Sequence, residues 1–418
     1  LGLYNLLLVT KSCYWSQVAF TGLKGAVCLQ QINNTPAMTT NQINTTPQSE
    51  KLFYIDKIRI VLTILVILHH ACVSYGGPDG WYYNEAITNK AALTLITMFL
   101  SLNQSFFMGF FFLLAAYFTY SSYQKKGRSQ FIKDRLLRLG LPLVFYSFIF
   151  SPFVSYLVYN YGKGNHINYL SYLSVFDSWI DFGVLWFVAA LLIFTLVYVY
   201  CKEAFKRWTQ KALPAPGLAA ILVTAVAIGL LSFVVRIGFP VNWSLKFFGF
   251  KLGHFPQYIS LFTIGLLAAK NNWLAQLDYK MGKNMKRIAL CSLFMFPVFY
   301  LIRTELNLPI EWYSGGFNWL SLLYAVWEQF IGFAIITAFL AIGKERWNSA
   351  STLTGYLSRS SFATYIFHPL ALVVLSLLVR TWAVDPTIKL LTVGPLGVVT
   401  SFLIGRLVVS LPGVNRIV

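Results

Sequence analysis

Apolar residues in this chain come in long blocks instead of alternating with polar ones. Ten blocks stand out, at about residues 54–74, 93–121, 137–159, 184–201, 217–237, 255–269, 287–303, 320–342, 361–380 and 388–411. A helix needs about 20 residues to cross the hydrocarbon core of a bilayer. The pattern therefore predicts an all-α fold, a polytopic membrane protein with about ten transmembrane helices. The sixth block is the weakest, because Lys251, His254 and Pro256 stand at its start. No internal repeat and no matched pair of broken helices is evident, which counts weakly against a transporter.

The polar segments between the blocks set an orientation. Lys and Arg gather at 123–138, 201–211, 270–287 and 343–359, while the intervening loops, such as 76–90 and 162–182, are poor in them. Basic residues favour the cytoplasmic side, so both termini are expected there. Trp81, Tyr82, Tyr83, Trp179, Trp312 and Tyr313 fall in or beside the outer loops, where aromatic rings favour the interface. Those loops are too short for a folded extracytoplasmic domain.

Composition agrees. The chain is 57% hydrophobic and 11% charged, against about 25% charged in a soluble domain. Its net charge of +19 is accounted for by cytoplasmic loops, and no basic run interleaved with aromatics suggests a nucleic-acid partner. The five cysteines have neither CxxC spacing nor a histidine at metal-ligand spacing, so neither a metal site nor a disulfide framework is indicated. No glycine-rich phosphate loop, nucleophile elbow or HExxH is present. Residues 1–50 are expected to be an N-terminal extension, disordered or in part not native. Met38 opens the polar stretch "MTTNQINTTPQSEK", and the expectation is that it is the true start, the alternative being a real extension.

The first block, "FYIDKIRIVLTILVILHHACVSY", is apolar except for one stripe. Eleven residues advance a helix by three turns plus about 20°, so Arg59 and His70 share a face about 16 Å apart along the axis. Thr63 lies on that face, Asp56 and Ser74 lie near it, and His69 points about 100° away. Charge in a bilayer is costly unless paired or hydrated, so the stripe must face protein or water. The plain reading is an Asp56–Arg59 ion pair and an interfacial His70 with one hydrogen-bond partner. The chemical reading is that His70 is a general base and that Arg59, deeper toward the cytoplasm, grips a phosphate. Glu328 is an intramembrane carboxylate that could pair with Arg59 or hold a histidine tautomer, the plain reading being a structural pair near the outer interface. His368, next to Pro369, is more simply structural than catalytic. His166 and His254 lie in or beside outer loops, where an acceptor could touch them.

Taken in order, these segments resemble the membrane-bound acyltransferase-3 family. Its first-helix motif is Arg, ten residues, His, here Arg59 and His70. The basic pair Arg135 and Arg138 in "FIKDRLLRLGLPLVF", the helix "FFMGFFFLLAAYFTYSSY", "GVLWFVAALLIF" and "SRSSFATYIFHPL" match further family segments over about residues 51–415. Ala115–Ala116 stands where the family usually has Ser-Gly, which weakens any serine role there. The resemblance implies a protein of a bacterial inner membrane and transfer of an acetyl or succinyl group from cytoplasmic acyl-CoA, as co-substrate and without a bound cofactor, to a hydroxyl of an extracytoplasmic glycan. It implies His70 as base or transient acyl carrier, Arg59 as the residue that orients the donor, and Arg135 and Arg138 as its phosphate contacts. Plain positive-inside anchoring explains Arg135 and Arg138 about as well. The rival from another class is a glycan or lipid transporter or flippase using the same stripe as a pathway.

Overall fold

A computed structural model describes residues 52–77, 80–245, 248–414 and 417. The expectations about residues 1–50 lie outside the described residues. The long helices are α1 (Phe53–Ser74), α2 (Lys90–Gln104), α3 (Phe107–Arg135), α4 (136–162), α5 (Trp186–Tyr200), α6 (Leu218–Gly238), α7 (Phe255–Lys270), α8 (Tyr279–Ser292), α9 (Met295–Glu305), α10 (Trp319–Arg346), α11 (Thr352–Val379) and α12 (Pro386–Ser410). Among the described residues there is no β-strand beyond a single bridge between Leu245 and Phe250.

Eight helical runs are long and apolar enough to cross a membrane. One of them, Lys90–Gly162, has 73 residues. At 1.5 Å per residue it would be about 110 Å long, far more than one crossing of about 30 Å. Gly127, at φ 72° and ψ 175°, breaks it inside α3, a left-handed conformation that glycine adopts without Cβ strain. The run is thus two passes. The sixteen-residue α7 is a further, short pass. It coincides with the block that Lys251, His254 and Pro256 weaken. These passes together make the ten read from the sequence.

Capping residues mark where several helices begin. The Asn89 side chain accepts from the amides of Ala91 and Ala92, Asn318 from Ser321, Ser351 from Thr354 and Asp385 from Thr387. α1 packs against α10, α11 and α12 and also touches α2 and α3, and its helical neighbours run in both senses. α11 is parallel to it: Ser358 donates to Asp56 at 2.9 Å, and Tyr75 donates to Ser376 at 3.2 Å. α10 is antiparallel, because Gly343 near its C-terminus lies against Tyr54 and Ile58 at the start of α1.

Small residues allow close approach where helices meet. A Cβ on Gly332 of α10 would stand 2.1 Å from the Ser105 carbonyl oxygen, which already accepts a 2.6 Å hydrogen bond from Gln257 of α7. Gly332→Ala is expected to lower stability by about 1–3 kcal/mol, the usual cost of overpacking. Thermal unfolding of the detergent-solubilised variant checks this, and an unchanged midpoint would show that the junction has room.

Candidate active site

The centre of the site is built by a proline. Pro369 lies inside α11 and has no N–H, so the carbonyl four residues earlier, that of Tyr365, loses its helical partner. Nδ1 of His368 takes that carbonyl at 2.7 Å. A carbonyl only accepts, so Nδ1 carries the proton and Nε2 of neutral His368 is a bare acceptor. Nε2 lies 3.0 Å from Nδ1 of His70. It follows that His70 donates through Nδ1–H and presents its own Nε2 as a lone pair. A carbonyl, a first imidazole and a second imidazole thus fix one tautomer at His70, the service that an acid gives the histidine of a hydrolase triad.

Aromatic rings enclose this pair. Trp81 stacks on His70 with ring centroids 4.1 Å apart and planes 14° apart, and its centroid is 6.1 Å from that of His368. His69 turns to the other side, where it stacks on Phe107 and meets the Asn103 amide at 3.2 Å. His368 is wholly buried and His70 partly so.

Arg59 sits at the opposite end of α1. Its guanidinium lies over the Phe118 ring at 4.5 Å and 3.7 Å from Asp56, which also accepts from Ser358. Arg135 donates to Thr119 at 3.3 Å and lies over Phe131. Arg59 and Arg135 therefore converge on adjacent residues of α3. Arg138 is exposed on the α4 side of the same turn. Of the α1 stripe, the Thr63 and Ser74 hydroxyls are used within the helix, donating to the Arg59 and His70 carbonyls at 2.9 and 3.0 Å.

Glu328 meets neither Arg59 nor His70; of the readings the sequence offered, the structure has the structural pair near the outer interface. The antiparallel course of α10 carries it toward the His70 end, far from Arg59. There it forms a buried ion pair with Arg236 of α6 and lies 3.4 Å from His254. Arg236 also donates to the Gly253 carbonyl at 3.1 Å. His166 remains in an exposed loop at φ 49°.

An open cleft of about 530 Å³ lies beside this end of the bundle, lined by Asp177, Trp179, Asp181, Ser244, Leu245 and Gly249 among others. That volume is in the range of small-ligand sites. A short segment joins the cleft to the histidines. The Asp181 carboxylate accepts from the Gly183 amide at 2.8 Å, and the carbonyl of Val184, one residue on, accepts from the Tyr365 hydroxyl. Gly183, at φ 43°, has no room for a side chain, since a Cβ would stand 2.8 Å from the Tyr146 hydroxyl.

The sequence signalled some of these parts and hid others. Arg236 is an intramembrane cation and so a candidate by the rule that singled out Glu328. Trp81 carried no such signal, since an indole in an outer loop is what an interface alone would select.

An acyltransferase domain model matches residues 52–411, and the chain belongs to the acyltransferase-3 family. It is an O-acyltransferase and a multi-pass membrane protein. Among curated proteins it is similar to glucans biosynthesis protein C of Salmonella heidelberg, 23% identical over 333 residues that cover 77% of this chain and 82% of the relative. The proteins of that name from Salmonella paratyphi B and Salmonella schwarzengrund are 23% and 22% identical over the same shares. No solved structure matches the chain.

Two substitutions probe the geometry. Pro369→Ala supplies an amide that competes for the Tyr365 carbonyl. It is expected to stabilise α11, since a proline in a helix interior costs about 3 kcal/mol, while slowing acyl transfer. Unfolding midpoints and turnover on the same preparation check the opposite signs. Glu328→Gln leaves the Arg236 charge uncompensated and is expected to cost about 3–5 kcal/mol, with turnover per folded molecule within a few-fold of wild type. A turnover loss without a stability loss would instead make Glu328 part of the chemistry.

Proposed function

We propose that the protein moves an acetyl or succinyl group from cytoplasmic acyl-CoA to a hydroxyl of an extracytoplasmic glycan, with His70 as general base. The observation that carries the proposal is the 3.0 Å hydrogen bond between His70 and His368, which leaves Nε2 of His70 free to take a proton. The name of the curated relatives supports a glucan as acceptor. The Salmonella relatives support a bacterial inner-membrane protein, and the alternation of basic and neutral loops supports both termini in the cytoplasm.

The separation of Arg59 from His70 supports a two-ended donor. Arg59 and Arg135, with Arg138 nearby, would hold the phosphates of coenzyme A at the cytoplasmic end, where a planar guanidinium suits phosphate. About 16 Å of helix then separates phosphate from base, a distance for an extended pantetheine arm to bridge. The acceptor would come from the other face through the cleft at Asp177, Trp179 and Asp181, whose carboxylates accept from sugar hydroxyls and whose indole offers an apolar face. Nε2 of His70 takes the hydroxyl proton as the oxygen bonds to the thioester carbon. The C–S bond then breaks, and the proton passes to the departing thiolate. His368 stays hydrogen-bonded to His70 throughout and spreads the charge that His70 gains. Asp56 holds the Arg59 guanidinium, and His69 packs behind the base.

Mass spectrometry of periplasmic and surface glycans from cells expressing wild type, His70→Ala and Arg59→Ala at matched membrane abundance tests this. Wild type should add one acyl mass. His70→Ala should lower it by about 10²–10⁴-fold, the usual size of a lost general base. Arg59→Ala should raise the KM for the donor by about 10–100-fold, as expected for a charged hydrogen bond of about 1.5–3 kcal/mol. A glycan that changes sides of the membrane without gaining mass would overturn the proposal in favour of transport.

A further inference from the structure

As the hydroxyl oxygen attacks the thioester, the carbonyl oxygen gains negative charge. A water-poor site needs a fixed donor aimed at that oxygen. Such a donor must border His70, be shielded from water and have no other partner. Most donors around the histidine pair fail the last condition. The His368 N–H is held by the Tyr365 carbonyl, and the Tyr365 hydroxyl by the Val184 carbonyl. The Tyr82 hydroxyl is engaged by Tyr146 at 3.0 Å and Ser151 at 2.9 Å. The Asn103 amide is engaged by His69 and by the Leu65 carbonyl at 3.2 Å.

Trp81 differs. Its Nε1–H is buried and has no hydrogen-bond partner among the described residues, although the indole lies flat against His70. A buried donor left unpaired is a cost to folding that a bound acceptor removes. Nor is the ring loosely placed. The Asn84 side chain donates to the Trp81 carbonyl at 3.0 Å, and the Glu85 amide donates to the Ser74 carbonyl at the end of α1 at 2.9 Å. The Glu85 carboxylate is in turn clamped by Tyr83 and by Lys389 of α12, both at 2.8 Å. The segment that carries Trp81 is therefore tied back to α1 and α12.

We propose that the indole N–H of Trp81 donates to the acyl carbonyl oxygen of the thioester and strengthens that bond as the oxygen becomes an oxyanion. The inference rests on the assignment of His70 as base above. In the balanced step the acceptor oxygen bonds to the acyl carbon and its proton moves to Nε2 of His70. The C=O pair moves onto oxygen beneath the Trp81 N–H. It returns as the C–S bond breaks, and the thiolate leaves with the proton.

The test uses the full-length protein in lipid nanodiscs, with acetyl-CoA and succinyl-CoA as donors, a glucan oligosaccharide as acceptor and thiol release as readout. Trp81→Phe keeps an aromatic ring and removes the donor. Benzothienylalanine at position 81 keeps the bicyclic shape and replaces the N–H by sulfur. Both are expected to lower kcat by about 10²–10³-fold, the effect of losing one oxyanion donor, with the donor KM within about twofold. If the sulfur isostere retains a kcat within about threefold of wild type, or if only KM changes, Trp81 packs against His70 without donating and the inference is overturned. A wild type that releases thiol no faster than His70→Ala overturns the His70 assignment itself, and this inference with it.

Discussion

Everything at the centre of this protein depends on one carbonyl that its helix does not use. Pro369 releases the Tyr365 oxygen, and His368 binds it through Nδ1. That bond decides which nitrogen of His368 is bare, and the bare nitrogen decides which nitrogen of His70 is bare. The same helix thus gains a break in its hydrogen-bond ladder and a directional relay. A carboxylate in this position would bring a charge into the bilayer core. The imidazole brings none until a proton arrives, which suits a site where unpaired charge is costly.

Permanent charge is kept to places where it is compensated. Arg236 and Glu328 are both almost fully buried and neutralise each other, with His254 against the carboxylate. Such a pair adds less to stability than its geometry suggests, because both ions are desolvated. It does pin α6 and α10 in register beside the loop that precedes α7. Arg59 uses a different device. Asp56 meets it from its own helix and the Phe118 face covers it. Neither partner saturates the guanidinium, which leaves donors of the planar fork for an anion.

The architecture was legible in the sequence because a bilayer makes length and apolarity decisive. Each of the ten blocks lies mostly in helix, with short turns at 105–106 and 293–294 inside two of them, and the one that Lys251 and Pro256 cut short became a short pass of 16 residues. Arg59 and His70 were legible because 3.6-residue periodicity is a property of one helix. Their partners were not, because pairing between helices depends on which ones become neighbours and in which sense they run. Glu328 went to Arg236 instead of Arg59 for that reason. His368 gained its place from a proline whose effect on a carbonyl is local, yet its meaning required α1 alongside. Trp81 was invisible as chemistry, since only its contact with His70 separates it from other interfacial indoles.

The brevity of α7 changes what its neighbours must supply. Sixteen residues rise about 24 Å, short of a hydrocarbon core of about 30 Å, so the turn Leu252–His254 that leads into α7 falls at membrane depth. Non-helical backbone at that depth is tolerated only when walled by protein or wetted. Protein walls it here: Arg236 donates to the Gly253 carbonyl, and Glu328 lies against His254. The shortness of one helix thus draws polar backbone inward, and the ion pair that α6 and α10 already share is what satisfies it.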